Sequence, residues 1–552
     1  MTWEVKNEVH NFRDRLDSIV IGASLALAAR NLWTFFVSFG DAGGVKDRLS
    51  NVLMEIARLV PSIRNRIERE RKSARESIEK SILCDTLEVN ECMPEVGLSL
   101  EDISKHLLAK SVAEKAKWSR GNLTGSVYSE NSSVEQVHAV ALREFSKSNL
   151  LHPDIFPCTR QMEAEVIQMC LELFSGDVNC VGSVTVGGTE SILLAVKAYR
   201  DMAKARNSVV NPNIVVPSTA HAAFMKAGEY FCVEVRRARC DPGRYYEVDI
   251  AAMEDLIDSN TIALVGSAPQ YPHGTIDPIP AIARLAKQYS VGCHVDACLG
   301  SFLLAFLRPE LPFKVDFQVP GVTSISCDTH KYGYAPKGSS VLMWSSADLR
   351  RFQYSVCPDW EGGLYATPTM TGSRNSSAVV AAWATIMHLG KSGYADCASR
   401  IYAAAKLIEK TIVEDLSDEL IMLGRTDTSV VSFTAKNNTV ENQHGLNIFD
   451  IADCMRNKTR RQWHLAMLQR PAGVHFAVTM ANVDNCAEFS EDLISCVQAE
   501  RRRIDSGGKS GSTESAAIYG SAASVPKVLV KELVVDYLDT CYLTGRKPDS
   551  PK

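Results

Sequence analysis

The chain has 552 residues, of which 45% are hydrophobic and 23% are charged. This length allows three or four domains, and the composition excludes a disordered chain, a fibrous repeat and a polytopic membrane protein. The net charge of −5 provides no basic field, so nucleic acid is not an expected partner. None of the sixteen cysteines forms a CxxC pair, which favours reduced thiols over disulfides or a metal site.

An apolar stretch near the amino terminus covers residues 18–40, where 15 of 23 residues are Ala, Val, Ile, Leu, Phe or Trp. As a helix it would be about 35 Å long, enough to span a bilayer. Arg30 and Asn31 interrupt it, and a charge near the middle of a span is costly. We therefore predict a membrane segment and leave open whether it spans the bilayer or only associates with it, a buried or interfacial helix being the alternative.

A basic segment follows over residues 41–80. It carries ten Lys or Arg between positions 46 and 80, and its apolar residues recur at three- and four-residue spacing. This pattern predicts a basic amphipathic helix, with a solvated charged helix as the alternative. A basic flank after an apolar span predicts that the rest of the chain lies in the cytoplasm, and it favours contact with anionic lipid headgroups.

The central region alternates short β-rich runs with helical patterns. The predicted strands are residues 183–188, 213–217, 231–235, 262–269, 292–298, 323–328 and 339–344. Strands separated by helices predict an α/β fold with a mostly parallel sheet covered on both faces. Ligands of such sheets bind at the carboxyl ends of the strands, so the loops there are the candidate site.

One chemical signal is the sequence TVGGTESILLA, in which Gly187 and Gly188 end a strand and Thr189 can begin a helix. Glycines permit close backbone approach, and the free N–H groups of a first helical turn bind phosphate. An ordinary strand-to-helix turn is the alternative. The segment is neither a Walker loop nor a dinucleotide fingerprint.

Two further signals follow later strands. Asp296 ends an apolar strand, and a buried carboxylate needs a partner such as a protonated ring nitrogen, although it could instead cap the next helix. Lys331, beside His330, follows another apolar strand; a desolvated lysine can form a Schiff base, although a surface lysine is the alternative. Together with the glycines, these residues provide the three attachment points of pyridoxal 5′-phosphate. His221 could stack on the ring or belong to the core.

Longer blocks carry a family resemblance. They are SVTVGGTESILLA, HVDACLGSF, CDTHKYGYAPKG and PDWEGGLYATPTMTGSR. In order and spacing the chain resembles the sphingosine-1-phosphate lyases, which are fold-type I pyridoxal-phosphate enzymes. Related decarboxylases share the glycine turn, the Asp and the His-Lys pair, but not YGYAPKGSS or GGLYATPTMTGSR. The resemblance implies a large cofactor domain at 171–375 after an arm at 81–170, and a small C-terminal α+β domain at 376–552. Residues 1–17 would be a short leading segment before the membrane helix.

The resemblance also implies roles for individual residues. Lys331 would be the Schiff-base lysine, and Asp296 the partner of the pyridinium nitrogen. The remaining implied cofactor contacts are Gly187, Gly188, Thr189, His221, Cys298, His330 and Ser373. His221 would stack on one ring face with Cys298 near the other, and Ser373 would reach the phosphate from a second subunit.

The implied substrate contacts are Tyr128, Asn149, His152, Tyr271 and Lys337. Of these, Tyr128 and Lys337 are expected to take part in catalysis, and the identity of the general base stays open among Tyr128, Lys337, His152 and the cofactor phosphate.

The implied reaction is a retro-aldol cleavage of sphingosine 1-phosphate and related long-chain base phosphates. Its products would be a long-chain fatty aldehyde and phosphoethanolamine. The resemblance further implies a homodimer with shared active sites, anchored by a single pass in the endoplasmic reticulum membrane, with the catalytic domain facing the cytosol. An amino-acid decarboxylase on the same fold and a catalytically silent membrane scaffold are the alternatives.

Overall fold

The structure is a computed structural model, and it describes Met54 and residues 58–83, 89–436, 445–513, 515–516 and 527–545. The predicted membrane segment at 18–40 lies outside these residues. Within the described residues, none of the helices combines the length and the apolar character that crossing a membrane requires. Contacts divide the chain into two compact units, one from residues 1–98 and 524–552 and the other from residues 99–523. None of the described cysteines forms a disulfide.

The secondary-structure elements are numbered in chain order. The helices are α1 Pro61–Ile82, α2 Leu100–Trp118, α3 Ser132–Phe145, α4 Pro157–Leu173, α5 Gly188–Asn207, α6 Ala223–Phe231, α7 Ile250–Glu254, α8 Ile279–Gln288, α9 Ser301–Phe306, α10 Ala347–Arg350, α11 Ser376–Lys410, α12 Ile448–Lys458, α13 Cys486–Asp505 and α14 Lys527–Thr540. The strands are β1 Val181–Thr185, β2 Asn213–Pro217, β3 Glu234–Ala238, β4 Cys240–Asp241, β5 Glu247–Val248, β6 Thr261–Ser267, β7 Gly292–Asp296, β8 Ser324–Cys327, β9 Ser340–Trp344, β10 Ser355–Trp360, β11 Gly363–Thr367, β12 Leu420–Met422, β13 Val430–Ala435, β14 Ala466–Gln469 and β15 Ala472–Ala477.

In the first unit, α1 and the residues just before it form ion pairs with α14. Arg71 binds both carboxylate oxygens of Asp536, with 2.7 Å between Nη2 and Oδ1, and Arg58 lies 2.6 Å from Glu532. The hydrogen bond from Arg71 lowers the pKa of Asp536 below its usual value. Part of the positive charge predicted for residues 41–80 is therefore neutralised by acids of α14.

The second unit is built on a seven-stranded sheet of order β1-β9-β8-β7-β6-β2-β3. Its four pairs from β8 to β3 are parallel, and β9 runs antiparallel to both of its neighbours. The mostly parallel sheet predicted from the sequence is confirmed, in a mixed form, and it uses all seven predicted strands. The third strand begins at Glu234 rather than at 231 because α6 continues to Phe231, and Cys232 then ends the helix in a left-handed conformation (φ 54°).

Hydrophobic residues cover both faces of this sheet. In β2, Val215 packs into one core cluster while Ile214 and Val216 pack into another. In β6, Leu264 and Val265 divide between the same two clusters. Successive side chains of a strand point to opposite faces, so strands buried on both sides read as continuous apolar runs.

A smaller antiparallel sheet of order β12-β13-β15-β14 follows in the same unit, with α11, α12 and α13 packed against its core. Phe476 and Phe489 stack there at 4.4 Å between ring centroids. Helix α11 connects this sheet to the large one, and its path breaks at Gly390, where φ is 58° and ψ is 179°.

Candidate active site

The carboxyl ends of several strands meet at one edge of the large sheet. Because β9 is the reversed strand, β1 runs in the same direction as β8, β7 and β6. Asp296 is the last residue of β7, and Lys331 lies in the turn that follows β8. Residues 186–189, called here the glycine turn, follow β1 and open α5. The three predicted signals therefore lie at the same edge, as expected for ligand sites of such sheets.

The glycine turn lies directly against two side chains of this edge. A Cβ placed on Gly188 would lie 2.7 Å from the Sγ of Cys298 and 2.9 Å from Oδ1 of Asp328, so a side chain is excluded there. Hydroxyl groups hold the turn from behind, with 2.7 Å between Thr185 Oγ1 and Ser191 Oγ. The backbone of the turn can thus approach a ligand closely.

Lys331 is paired with a carboxylate that the sequence reasoning missed. Its Nζ lies 2.7 Å from Oδ2 of Asp328, which is only 1% exposed. Burial lowers the pKa of Lys331, but the charge and hydrogen bond of Asp328, together with Cys298 and Tyr128, outweigh the effect of burial, and the net shift is upward. The two residues are three positions apart in the CDTHK sequence, a spacing that could have drawn attention to Asp328.

Asp296 is buried, with 7% of its surface exposed. Its Oδ1 accepts hydrogen bonds from the backbone N–H of Cys298 at 3.1 Å and from the Ser326 hydroxyl at 3.4 Å. Helix α9 begins only at Ser301, so Asp296 does not occupy the N-cap position that was its alternative reading. Among the described residues no Lys or Arg forms an ion pair with it, which leaves this buried carboxylate available to a cationic ligand atom.

Tyr128 and Lys337 lie together near Lys331. The Nζ of Lys337 is 4.5 Å from the centroid of the Tyr128 ring and donates to the carbonyl oxygen of His330 at 3.3 Å. Burial of its ammonium end and the charge of Lys331 lower the pKa of Lys337 to about 8. Burial raises the pKa of Tyr128 to about 12. At neutral pH the tyrosine therefore stays protonated and can donate a hydrogen bond, and the lysine ammonium loses its proton more readily than an ordinary lysine does.

Tyr332, another residue that the sequence reasoning missed, fixes the backbone beside Lys331. Its buried hydroxyl donates to Ser429 Oγ at 2.7 Å and lies 2.8 Å from the carbonyl oxygen of Val478. Its ring meets that of Tyr128 edge-on at 5.0 Å. Both hydroxyl partners belong to segments beside β13 and β15, so the turn that carries Lys331 is attached to the smaller sheet.

Other predicted site residues lie apart from this group. The Nδ2 of Asn149 donates to Ser373 Oγ at 3.0 Å, and His152 is exposed on the same loop as Asn149. His221 is exposed after β2, and its Nδ1 accepts from the backbone N–H of Ala223 at 3.1 Å. Within the described part of the chain, none of these four forms a hydrogen bond with Lys331 or Asp296.

Tyr271 and Thr189 are both exposed at this edge. Half of the Tyr271 surface is exposed, and its ring meets that of His475 at 4.8 Å. Burial of the remainder raises the pKa of Tyr271, while the nearby Lys331 opposes that shift. Thr189 follows the two glycines with its side chain exposed. The positions suit a site that opens to solvent.

The residues at this edge fit pyridoxal phosphate. Two buried polar atoms, Oδ1 of Asp328 and Nδ1 of His330, have no hydrogen-bond partner among the described residues. Buried polar groups are normally paired, so both atoms are free for a ligand. Lys331 would hold the aldehyde end of the cofactor, Asp296 its ring nitrogen and the glycine turn its phosphate.

Comparison with known proteins also indicates a pyridoxal-dependent enzyme. The profile of the pyridoxal-dependent decarboxylase conserved domain matches residues 88–436. The chain is 37% identical to sphingosine-1-phosphate lyase 1 of Rattus norvegicus, over 98% of this chain and 93% of the relative. It is 40% identical to the sphingosine-1-phosphate lyase of Drosophila melanogaster, over 89% of this chain and 88% of the relative. The chain belongs to the sphingosine-1-phosphate lyase family.

Solved structures agree at the level of the fold. A sphingosine-1-phosphate lyase of Burkholderia pseudomallei has a TM-score of 0.71 and 35% identity, covering 76% of this chain and 95% of its own. A glutamate decarboxylase of Lactobacillus brevis has a TM-score of 0.62 with 18% identity, covering 75% and 95%, and shares the fold alone. This chain thus has the fold of the wider group of pyridoxal-dependent decarboxylases.

Proposed function

We propose that this protein cleaves sphingosine 1-phosphate and related long-chain base phosphates into a long-chain fatty aldehyde and phosphoethanolamine. The observation that carries the proposal is the meeting of Lys331, Asp296 and the glycine turn at one sheet edge in a chain of this family. When bound, pyridoxal phosphate supplies the electron sink that carbon–carbon bond cleavage requires.

The chain's own residues divide the remaining work. Asp296, buried and without a cationic partner in the described chain, would hold a proton on the ring nitrogen. The glycine turn would fix one end of the cofactor and so orient the reacting bond. Cleavage also needs an acceptor for the substrate hydroxyl proton, and we propose the Nζ of Lys337 for this role because its pKa is lowered to about 8. Tyr128, whose pKa is about 12, would remain protonated and donate a hydrogen bond.

A single assay tests the function. The purified full chain, supplied with pyridoxal phosphate and a phosphorylated long-chain base, should release a fatty aldehyde that mass spectrometry detects. Lys331→Ala should abolish the release. Carbon dioxide from amino acids without any aldehyde would indicate a decarboxylase instead. A purified protein with no visible cofactor absorbance and no product would indicate a silent scaffold.

We further propose that the protein works as a homodimer. Helix α2 has no buried residue, and its Leu100, Leu107, Leu108 and Val112 are each more than half exposed. The β10–β11 hairpin is also exposed, including Leu364 at 88%. Apolar side chains of this extent favour a protein partner, and a second copy would bring Ser373 of one subunit to the other's cofactor phosphate. Sedimentation of the full chain should give twice the monomer mass; a monomer that remains active would contradict this.

The membrane anchor is a separate proposal that rests on the sequence of residues 18–40. We propose a single pass in the endoplasmic reticulum membrane with the catalytic unit on the cytosolic side, because the basic residues follow the apolar segment. A lipid substrate partitions into the bilayer, so attachment would place the enzyme beside it. Full-length chain should stay with carbonate-washed membranes, whereas a chain that begins at Asp41 should be released. Equal retention of both would refute the anchor.

A further inference from the structure

Glu190 is a buried acid that none of the roles above uses. It lies in the first turn of α5, two residues after Gly188, and only 7% of its surface is exposed. Its Oε2 accepts the backbone N–H of Val186 at 2.7 Å, and its Oε1 accepts the backbone N–H of Met370 at 2.9 Å. One carboxylate therefore joins the glycine turn to a segment 180 residues later in the chain.

That later segment, residues 368–375, is called here the TGSR loop. It is held at further points: Gln353 donates to the carbonyl oxygen of Pro368 at 2.6 Å, and Arg374 forms a largely buried ion pair with Glu163. Ser373, the residue proposed to reach a cofactor phosphate, lies in this loop. Of these attachments, the one through Glu190 is shared with the glycine turn.

The negative charge of Glu190 does not itself favour phosphate binding. A carboxylate beside the opening turn of α5 repels a phosphate anion, so by charge alone it would weaken binding. The hydrogen bonds that Glu190 accepts, in contrast, favour binding because they hold the backbone of the site. A carboxylate has two acceptor oxygens and no donor, and here each oxygen satisfies one backbone N–H. Glutamine could satisfy only one and would turn an N–H₂ donor toward the other.

We propose that Glu190 is a positioning residue for the cofactor phosphate, because it fixes the glycine turn against the TGSR loop. This inference deepens the proposed function and rests on it. The two hydrogen bonds hold the backbone of the turn before the ligand arrives, so less ordering is left for the binding step. Hydrogen bonds to a charged acceptor are among the stronger ones in proteins.

The test compares two ligands that differ only in the phosphate. Affinities of the full chain for pyridoxal 5′-phosphate and for pyridoxal are measured by absorbance after cofactor removal. In Glu190→Gln the affinity for pyridoxal phosphate should fall roughly tenfold, as expected for one lost hydrogen bond to a charged group. The affinity for pyridoxal should stay unchanged, and Glu190→Ala should lose at least as much as Glu190→Gln.

Glu163→Gln is the matched control, because it makes the same chemical change in a carboxylate that holds the TGSR loop but does not contact the glycine turn. It should leave the ratio of the two affinities as in the unchanged chain. Equal weakening of both ligands by Glu190→Gln, tighter binding of pyridoxal phosphate, or the same selective loss in Glu163→Gln would each overturn the role of Glu190.

A measurement on the unchanged chain keeps the inference testable if the variants do not fold. Pyridoxal phosphate, but not pyridoxal, should slow amide hydrogen exchange in peptides that contain Val186 and in peptides that contain Met370. Protection of the first without the second would refute the link. If the unchanged chain binds both ligands equally well, the phosphate site itself is misplaced, and the proposed function fails rather than this inference.

Discussion

Lys331 and Ser373 belong to the same proposed site but are held in opposite ways. Lys331 has its charge matched by Asp328 within its own chain, and the neighbouring Tyr332 is bonded to the smaller sheet. Ser373 is exposed, and its hydroxyl is bonded to Asn149 at the surface. In the proposed homodimer, one chain would supply the half of the site that holds the cofactor through Lys331. Ser373 would then complete the site of the second copy.

The largest expected effect is the loss of activity when Lys331 is replaced. Lys331→Ala removes the amine that holds the cofactor, and activity should fall on the order of 10⁴-fold or more, as when a nucleophile is removed from an enzyme. The visible absorbance of the bound cofactor should disappear with it. Borohydride reduction followed by peptide mass spectrometry should find the pyridoxyl group on Lys331. An adduct on another lysine would show that Lys331 is not the residue that holds the cofactor.

The next effect concerns proton transfer by Lys337. Its pKa is lowered to about 8, and a proton acceptor works only when neutral, so kcat/KM should rise as the pH increases through about 8. Lys337→Arg keeps the positive charge at every accessible pH and should lower kcat by roughly 10²- to 10⁴-fold, the usual contribution of general acid–base catalysis. The rise near pH 8 should vanish in this variant. If Lys337→Arg keeps both the rate and the profile, the acceptor is another group.

Subunit mixing tests directly whether Ser373 serves the site of the partner subunit. Ser373→Asp places a carboxylate where the resemblance expects a partner's cofactor phosphate, so like charges should prevent binding. A mixture of Ser373→Asp and Lys331→Ala chains should recover about a quarter of the activity per site, because half of the dimers are mixed and each contains one intact site. Recovery should appear only after the subunits exchange. No recovery, with exchange verified by labelled chains, would place Ser373 in its own subunit's site.

The smallest effect is on stability. Tyr332→Phe leaves the ring in place but removes the hydroxyl that bonds Ser429 and the carbonyl oxygen of Val478. Buried groups left without a partner should lower the free energy of unfolding by about 1–3 kcal/mol. Thermal unfolding measures the change. Tyr289→Phe is a suitable control, because its hydroxyl bonds Glu254 at the exposed surface. Equal shifts in both variants would mean that the Tyr332 bonds contribute nothing special.

The sequence predicted the elements of the large sheet well because most of its strands, such as β6 and β9, are buried apolar runs bounded by turns or helices. It did not predict that β9 is reversed, since direction depends on how a strand pairs and not on its composition. The β10–β11 hairpin was also missed: its mostly exposed residues PDWEGGLYAT lack the alternation that a half-buried strand shows.

In the site, too, the sequence did not reveal residues whose roles depend on contacts in the folded chain. Lys331, Asp296 and the glycine turn were recognisable because each ends or follows an apolar strand. Asp328 could have been noticed only from its three-residue spacing to Lys331. Glu190 was not recognisable, because the backbone N–H of Met370 that it binds comes near only in the folded chain. Acidic residues in such positions read as ordinary helix-terminus or surface acids. The proposed membrane segment lies outside the described residues and stays a prediction.

The break in α11 has a consequence for chirality. Gly390 has φ 58° and ψ 179°, and a Cβ added there would meet nothing within 4 Å in the described part of the chain beyond its own helical backbone. Space is therefore available, but the backbone conformation is one that only glycine adopts readily among natural residues. Its mirror image is the extended conformation that L-residues favour. D-Alanine should consequently be accommodated at position 390 where L-alanine is strained, so the angle between the two halves of this helix depends on a single achiral residue in a mirror-image backbone conformation.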